Sequence, residues 1–182
     1  MSSYSPPSTA TELVELVVAV RGVVNRHADW RQTARLVARE LTRSFPSAEI
    51  LTAEQRIGDA DSYRSHLLHV EPGGSFSIAA MVWRPGQVTA IHDHVTWCVF
   101  GVIQGVEHEE LFRLDEEIEC LVEIGTSTNT AGDVNGFAPP GDIHRVRNVG
   151  DETAISIHIY GTDVSRIGSS VRRYYDHPIV AA

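Results

Sequence analysis

The spacing of apolar residues divides the chain into a helical first quarter and a longer part made of short strands. Thr9 and Glu12 have the form of a capping box, and apolar residues follow them at helical spacing. Asp29, with Gln32 three residues later, predicts the start of a second helix. The residues expected on the buried faces are Leu13, Leu16, Val17, Val20 and Val24 in the first helix, and Trp30, Ala34, Val37, Ala38 and Leu41 in the second.

Beyond the second helix, the apolar positions fall in short runs of β-branched and aromatic residues. The clearest runs are residues 76–83, 97–105, 117–125 and 154–160. Turns rich in Gly, Pro, Asp and Asn separate them, which is typical of the strands in an all-β barrel or sandwich. The sequence therefore predicts an all-β core that follows two N-terminal helices.

The length of 182 residues suits one globular domain. Residues 1–8 are rich in Ser and Pro, and we expect them to be disordered. Residues 9–182 are predicted to form a single domain, whose helical segment covers about residues 9–45.

The composition is that of an ordinary soluble protein, with 42% hydrophobic and 21% charged residues. The formal net charge of −9 argues against nucleic acid or an anionic membrane as the main partner, because both select basic surfaces. Neither Cys98 nor Cys120 belongs to a Cys-x-x-Cys pair, which argues against a disulfide framework or a thiolate zinc site. The chain shows neither a secretory signal nor a run long enough to span a membrane, so we expect a cytoplasmic enzyme.

Two stretches of the chain carry histidines at spacings that suit a metal site. In residues 86–105, His92 and His94 are two apart, and residues at that spacing on a strand project from the same face. In residues 132–148, His144 follows a Pro-Gly turn. An isolated His-x-His is often accidental, but the two stretches together favour a site with three histidine ligands. Neutral imidazole suits Fe, Cu, Zn and Ni, so the ligands alone do not name the metal.

The two stretches resemble the two motifs of the cupin superfamily. The first motif fits at every spacing, but Cys98 stands where cupins have a glutamate. The second motif fits with one extra residue between Gly132 and Pro139. The resemblance implies a cupin barrel, a double-stranded β-helix, with N-terminal α-helices. It leaves three histidines as ligands, whereas a closed structural zinc site would use four.

The run at residues 154–160 places Ser156, His158 and Tyr160 on one face of a strand. Taken alone, they would be the polar ends of core residues, satisfied by local hydrogen bonds. Together with the three histidines and Cys98, they resemble the cysteine dioxygenase family of thiol dioxygenases. The bacterial branch that acts on 3-mercaptopropionate is similar, but it has glycine where this chain has Cys98. In many animal members, a cysteine near this position is cross-linked to the tyrosine, which makes Cys98 and Tyr160 a candidate pair.

The resemblance implies a non-haem Fe(II) enzyme that adds both atoms of O2 to the sulfur of a small thiol and gives a sulfinate. The implied metal ligands are His92, His94 and His144, and the implied catalytic residues are Ser156, His158, Tyr160 and Cys98.

The implied substrate is a mercapto-acid such as 3-mercaptopropionate or cysteine, whose carboxylate would need a cation. An arginine would bind it through two parallel hydrogen bonds. Arg64 resembles the arginine of cysteine-specific members, and Arg172 and Arg173 resemble that of the 3-mercaptopropionate branch. We prefer Arg173, although a solvated surface charge is the alternative for each of the three.

Other interpretations stay open on the sequence alone. A ring-cleaving dioxygenase or an isomerase of the cupin type would usually retain the glutamate that Cys98 replaces. A non-catalytic metal-binding cupin and a dioxygenase for a different thiol, such as ergothioneine or a protein N-terminal cysteine, are also open. The sequence does not choose the thiol, establish a Cys98–Tyr160 cross-link or fix the oligomeric state.

Overall fold

The computed structural model describes the backbone of residues 9–180 and the side chains of residues 11–180. The segment 1–8, for which we expected disorder, lies outside the described residues. The helices are α1 (Thr9–Val24), α2 (Trp30–Arg43) and the short α3 (Val164–Ile167), with 3-10 turns at Ala48–Ile50 and Gln55–Ile57. None of the helices within residues 9–180 is long and apolar enough to cross a membrane.

The start of α2 follows its sequence signal. An Asp29 side-chain oxygen accepts the backbone N–H of Gln32 at 2.9 Å, so the predicted N-cap is confirmed. The predicted capping box stays a prediction, because the side chain of Thr9 lies outside the described residues, but the contacts of Glu12 are described. Its carboxylate accepts hydrogen bonds from the Ser47 backbone N–H (3.0 Å) and hydroxyl (2.9 Å), which ties α1 to the segment that follows α2.

The rest of the described chain is built mainly of β-strands. The strands are β1 (Arg64–Val70), β2 (Ser77–Trp83), β3 (His92–His94), β4 (Cys98–Gln104), β5 (Val106–Asp115), β6 (Cys120–Thr130), β7 (Val134–Phe137), β8 (Ile143–Asn148), β9 (Ala154–Tyr160), β10 (Val171–Tyr174) and β11 (Ile179–Val180). They form a five-stranded sheet in the order β1-β2-β9-β4-β7 and a six-stranded sheet in the order β10-β3-β8-β5-β6-β11. The prediction of an all-β core with N-terminal helices is confirmed.

Strand β9 is central in the five-stranded sheet and is buried on both faces. Ile157 and Ile159 pack with the two long helices in the main apolar cluster. The alternate residues Ser156, His158 and Tyr160 face the other way, as the period of two of a strand requires. The helices therefore cover one face of this sheet and leave its other face to the polar groups of a cavity.

Candidate metal centre

The three motif histidines converge from two neighbouring strands of the six-stranded sheet. His92 on β3 pairs in register with His144 on β8, and His94 lies on the same face of β3 as His92. All three side chains are buried. One ligand nitrogen from each lies within 4.8 Å of the others, and the Nε2 atoms of His92 and His144 are 3.2 Å apart. The geometry is thus that of three imidazoles around one centre.

Each of these imidazoles has an oxygen acceptor at its outer nitrogen. Nδ1 of His144 lies 2.6 Å from a Glu109 oxygen, and Nδ1 of His94 lies 3.2 Å from an Asp142 oxygen. Nδ1 of His92 lies 2.9 Å from the backbone carbonyl two residues before it. These acceptors favour the proton on Nδ1, which leaves the Nε2 lone pair free to bind a metal. The donor set therefore fits a divalent ion held by three neutral imidazoles.

Burial favours the neutral forms of His92 and His94. Burial lowers the pKa of His92 to about 3, helped by the neighbouring His144 and His94. Burial also lowers the pKa of His94, although the Asp142 hydrogen bond opposes this. Burial alone would raise the pKa of Asp142, but hydrogen bonds from His94 bring it below its usual value, so Asp142 stays a carboxylate. Neutral imidazole is the form that binds metal ions.

The Ser-x-His-x-Tyr face of β9 adds a polar wall to the same cavity. The indole N–H of Trp83 donates to the Ser156 hydroxyl (3.2 Å), which lies 2.9 Å from Nε2 of His158. The His158 and Tyr160 rings stack with centroids 5.9 Å apart, and Tyr160 also stacks at 6.4 Å on His94. Burial raises the pKa of Tyr160 well above its usual value, so the phenol keeps its proton at neutral pH.

Cys98 lies directly opposite Tyr160 where β4 pairs with β9. Both side chains are buried in one small cluster with Ala79. Burial raises the pKa of the Cys98 thiol well above its usual value, and the charges of Glu109 and Asp142 add to this effect. The thiol is therefore protonated and packs beside the phenol. Whether a thioether joins them stays a prediction.

The three histidines border a small cavity of about 70 Å³. Tyr63 and Trp83 stack at its edge with ring centroids 4.4 Å apart. Its other apolar walls come from Met81, Phe100 and Phe137. The reacting groups proposed from the sequence therefore share one partly enclosed, largely apolar space.

The three candidate substrate arginines lie elsewhere. Arg64 forms an ion pair with Asp59 and is largely exposed. Arg173 donates to Asp93 at 2.9 Å, and Arg172 lies 3.9 Å from the same carboxylate. Within residues 11–180, no arginine borders the cavity above the histidines.

Three acidic residues around the centre were not identified from the sequence. Asp142 and Glu109 hold two of the histidines, and Glu107 borders the cavity. The run Glu-His-Glu-Glu on β5 has the composition of a solvated surface. Residues two apart on a strand share a face, and this alternation was the available signal for buried acids. Glu107 and Glu109 are buried, whereas the neighbouring His108 and Glu110 are partly exposed.

Comparison with known proteins gave one family and several structures. The family model described as cysteine dioxygenase type I matches residues 1–173. An oxalate oxidase in complex with glycolate is 15% identical with a TM-score of 0.46, over 58% of this chain and 53% of that chain. An oxalate decarboxylase of Lactobacillus farciminis is 19% identical with a TM-score of 0.46, over 58% and 30%. A cupin domain of an XRE family transcriptional regulator from Enterobacter cloacae is 16% identical with a TM-score of 0.40, over 54% and 95%. This chain spans about half the length of the oxalate oxidase chain that it matches.

Proposed function

The chain belongs to the cysteine dioxygenase type I family, and from this membership we infer that it is a non-haem Fe(II) dioxygenase that converts a small thiol to its sulfinate. The observation that carries the proposal is the convergence of three buried imidazoles in a cavity that His158 and Tyr160 also line, with the Ser156 hydroxyl in contact with His158. A site with three protein ligands keeps positions for small molecules, as catalytic metal sites do.

We assign the ligand role to His92, His94 and His144, with Glu109 and Asp142 orienting two of them. Fe(II) held there would lower the pKa of a coordinated thiol and supply the redox chemistry that dioxygen requires. In the overall reaction, the S–H and O–O bonds break, two S–O bonds form, and the thiol proton is released to solvent. Sulfur gives up the four electrons that dioxygen takes, so no other reductant is needed.

The remaining residues position the reactants. The Tyr160 phenol keeps its proton and donates a hydrogen bond towards the substrate or dioxygen, while Ser156 and His158 hold the strand face on which it lies. The apolar walls exclude water, which strengthens polar interactions inside the cavity. Cys98 acts through its position beside Tyr160.

For the substrate, a mercapto-acid such as 3-mercaptopropionate or cysteine stays part of the proposal. Since Asp93 holds Arg172 and Arg173 outside the cavity wall, a carboxylate clamp would require one of them to exchange this aspartate for the substrate. Arg64 would likewise have to leave Asp59.

The test is oxygen consumption by the Fe(II)-loaded protein across a panel of small thiols, with the product identified by mass. We expect His144→Ala to lose most of its iron and nearly all turnover, because three ligands leave no redundancy. The matched control is His108→Ala, since His108 lies on the outer face of β5 and contacts Thr128. A His144→Ala protein with full iron and full turnover would refute the assignment. Fe(II)-loaded parent protein that consumes no oxygen with any thiol would favour a non-catalytic binding role.

A further inference from the structure

Glu107 is a buried acid for which the proposed mechanism has no use. It lies on β5 and is fully buried, and its side chain borders the cavity above the three histidines. Neither of its carboxylate oxygens has a hydrogen-bond partner among the described residues. A buried carboxylate without a partner is costly, so a ligand that supplies a donor or a positive charge would be bound strongly there.

The neighbours of Glu107 explain why it is unpaired. The Ser156 hydroxyl lowers the pKa of Glu107, but its oxygen already accepts from Trp83 and lies 2.9 Å from His158. Its single proton therefore cannot satisfy both His158 and the carboxylate. Burial dominates and raises the pKa of Glu107 to about 7, and the charge of Glu109 adds to the increase.

Glu107 is also separate from the metal centre. Among the described residues, the group of side chains that could hold one ion consists of the three histidines and does not include it. Glu109, two residues along the same face, is the acid that contacts His144. Two residues advance a strand by about 6.6 Å, so Glu107 serves a different part of the cavity.

The charge of the cavity favours a cationic group at this position. The 15 basic residues of the chain are all arginines, and those within residues 11–180 lie outside the cavity wall. The stacked pair of Tyr63 and Trp83 borders the same space and offers aromatic faces, which attract cations. An ammonium group beside Glu107 would meet a carboxylate and aromatic rings, whereas a substrate carboxylate at the same place would be repelled by the charged acid.

We propose that Glu107 determines substrate specificity by binding the protonated amine of an aminothiol, such as cysteamine or cysteine, whose sulfur lies at the metal centre. The inference rests on the proposed function for the sulfur end of the ligand. Glu107 fixes the other end, so the substrate class is a small thiol that carries an ammonium group. A carboxylate on the same molecule is compatible with this arrangement if it points away from Glu107.

The experiment measures equilibrium binding by calorimetry to the Fe(II)-loaded protein without oxygen. The probes are cysteamine, 2-mercaptoethanol and 3-mercaptopropionate, which have similar sizes and positive, neutral and negative ends. We expect cysteamine to bind at least about tenfold more tightly than 2-mercaptoethanol, because a hydrogen bond between charged groups contributes that much. Glu107→Gln should remove most of this preference while iron content stays the same.

Glu110→Gln is the matched control, because it makes the same change on the same strand but on the outer face, where Glu110 pairs with Arg145. It should keep the cysteamine preference. Glu107→Asp provides a second variant that keeps the charge, and it should retain more of the preference than Glu107→Gln. If Glu107→Gln does not fold, the parent protein still decides: equal binding of the three probes, or tighter binding of 3-mercaptopropionate, overturns the proposal.

The two proposals fail in different ways. If cysteamine bound selectively through Glu107 but no oxygen were consumed, the role of Glu107 would be supported and the dioxygenase activity would be refuted. If all three probes gave sulfinates and Glu107→Gln did not change their binding, the role of Glu107 would be refuted and the dioxygenase activity would be supported.

Discussion

At the scale of single residues, Cys98 and Tyr160 lie opposite each other across β4 and β9, both buried. Formation of a thioether between them would remove two hydrogens, with dioxygen as the oxidant. We expect the intact mass of the cross-linked fraction to be about two daltons low after aerobic turnover with Fe(II). Mass spectrometry of the intact protein and of the peptide that joins the two residues checks this.

Cys98→Gly is the control for the cross-link. Its measured mass should equal the mass calculated from its own sequence, without the loss of two daltons. It should also fold and retain activity, since the similar 3-mercaptopropionate branch has glycine at that place. A parent protein that shows only the unmodified mass after many turnovers would instead make Cys98 a buried thiol that packs as a small hydrophobic group.

Glu107 should also make the stability of the metal-free protein depend on pH. Burial raises the pKa of its carboxyl from the usual 4.5 to about 7. The folded state therefore binds this proton more tightly than the unfolded state, and the resulting stabilisation is present below pH 4.5 and lost as the pH rises to 7. We expect Glu107→Gln to be more stable than the parent above pH 7, by roughly 3 kcal/mol at most, with no difference near pH 4.5.

Urea unfolding of the metal-free protein between pH 4.5 and 8 measures this difference. Glu110→Gln should show the opposite trend, because the hydrogen bond from Arg145 lowers the pKa of Glu110 and stabilises its charged form. Parallel stability curves for the parent and Glu107→Gln would mean that the carboxyl of Glu107 is solvated in the folded protein.

At the scale of elements, β10 lies beside β3, the short strand that carries His92 and His94. Asp93, between these histidines, accepts hydrogen bonds from the Arg173 guanidinium (2.9 Å) and the Tyr175 hydroxyl (2.9 Å). Strand β10 and the residue after it are thus bound to the residue between two proposed metal ligands. Replacing Arg173 would therefore affect the positions of His92 and His94 through the loss of its contact with Asp93.

Arg173→Ala therefore has two distinguishable outcomes. The contact with Asp93 leads us to expect weaker iron binding and a similar loss of kcat/KM for all thiols. A carboxylate clamp, as the sequence suggested, would instead raise KM for 3-mercaptopropionate and leave cysteamine almost unchanged. Kinetics with both substrates at measured iron content separate the two, and Arg43→Ala is the control for an exposed arginine in an ion pair with Glu40.

Local spacing made much of this arrangement predictable from the sequence. The runs at 76–83 and 154–160 became β2 and β9, since β-branched residues between turns are a strong strand signal. Strand β5 was missed because its buried face carries acids, and burial of an acid depends on partners from other strands. The position of Arg173 beside Asp93 could not be predicted from the sequence either, because it depends on the pairing of β10 with β3.

At the scale of the whole molecule, the five-stranded sheet separates two environments. On one face, α1 and α2 form the main apolar cluster with residues such as Phe76, Ile78 and Ile157. On the other face lies the cavity with the proposed metal centre. Helix α2 and the segment after it lie very close to β4, since a Cβ added at Gly101 would come within 2.7 Å of Phe45 and 3.2 Å of Leu41.

This division predicts that the helical layer can be weakened without altering the site. Leu41 is fully buried, so Leu41→Ala should lower the free energy of unfolding by about 2–5 kcal/mol through the cavity that it leaves. Because the cavity and the histidines lie across the sheet, iron affinity measured well below the unfolding temperature should not change. Val18→Ala is the control, since Val18 on α1 is 57% exposed and should affect neither quantity much. If Leu41→Ala weakened iron binding in the folded protein, the helices and the metal centre would have to be coupled through β4, and the helical layer would then contribute to positioning the site.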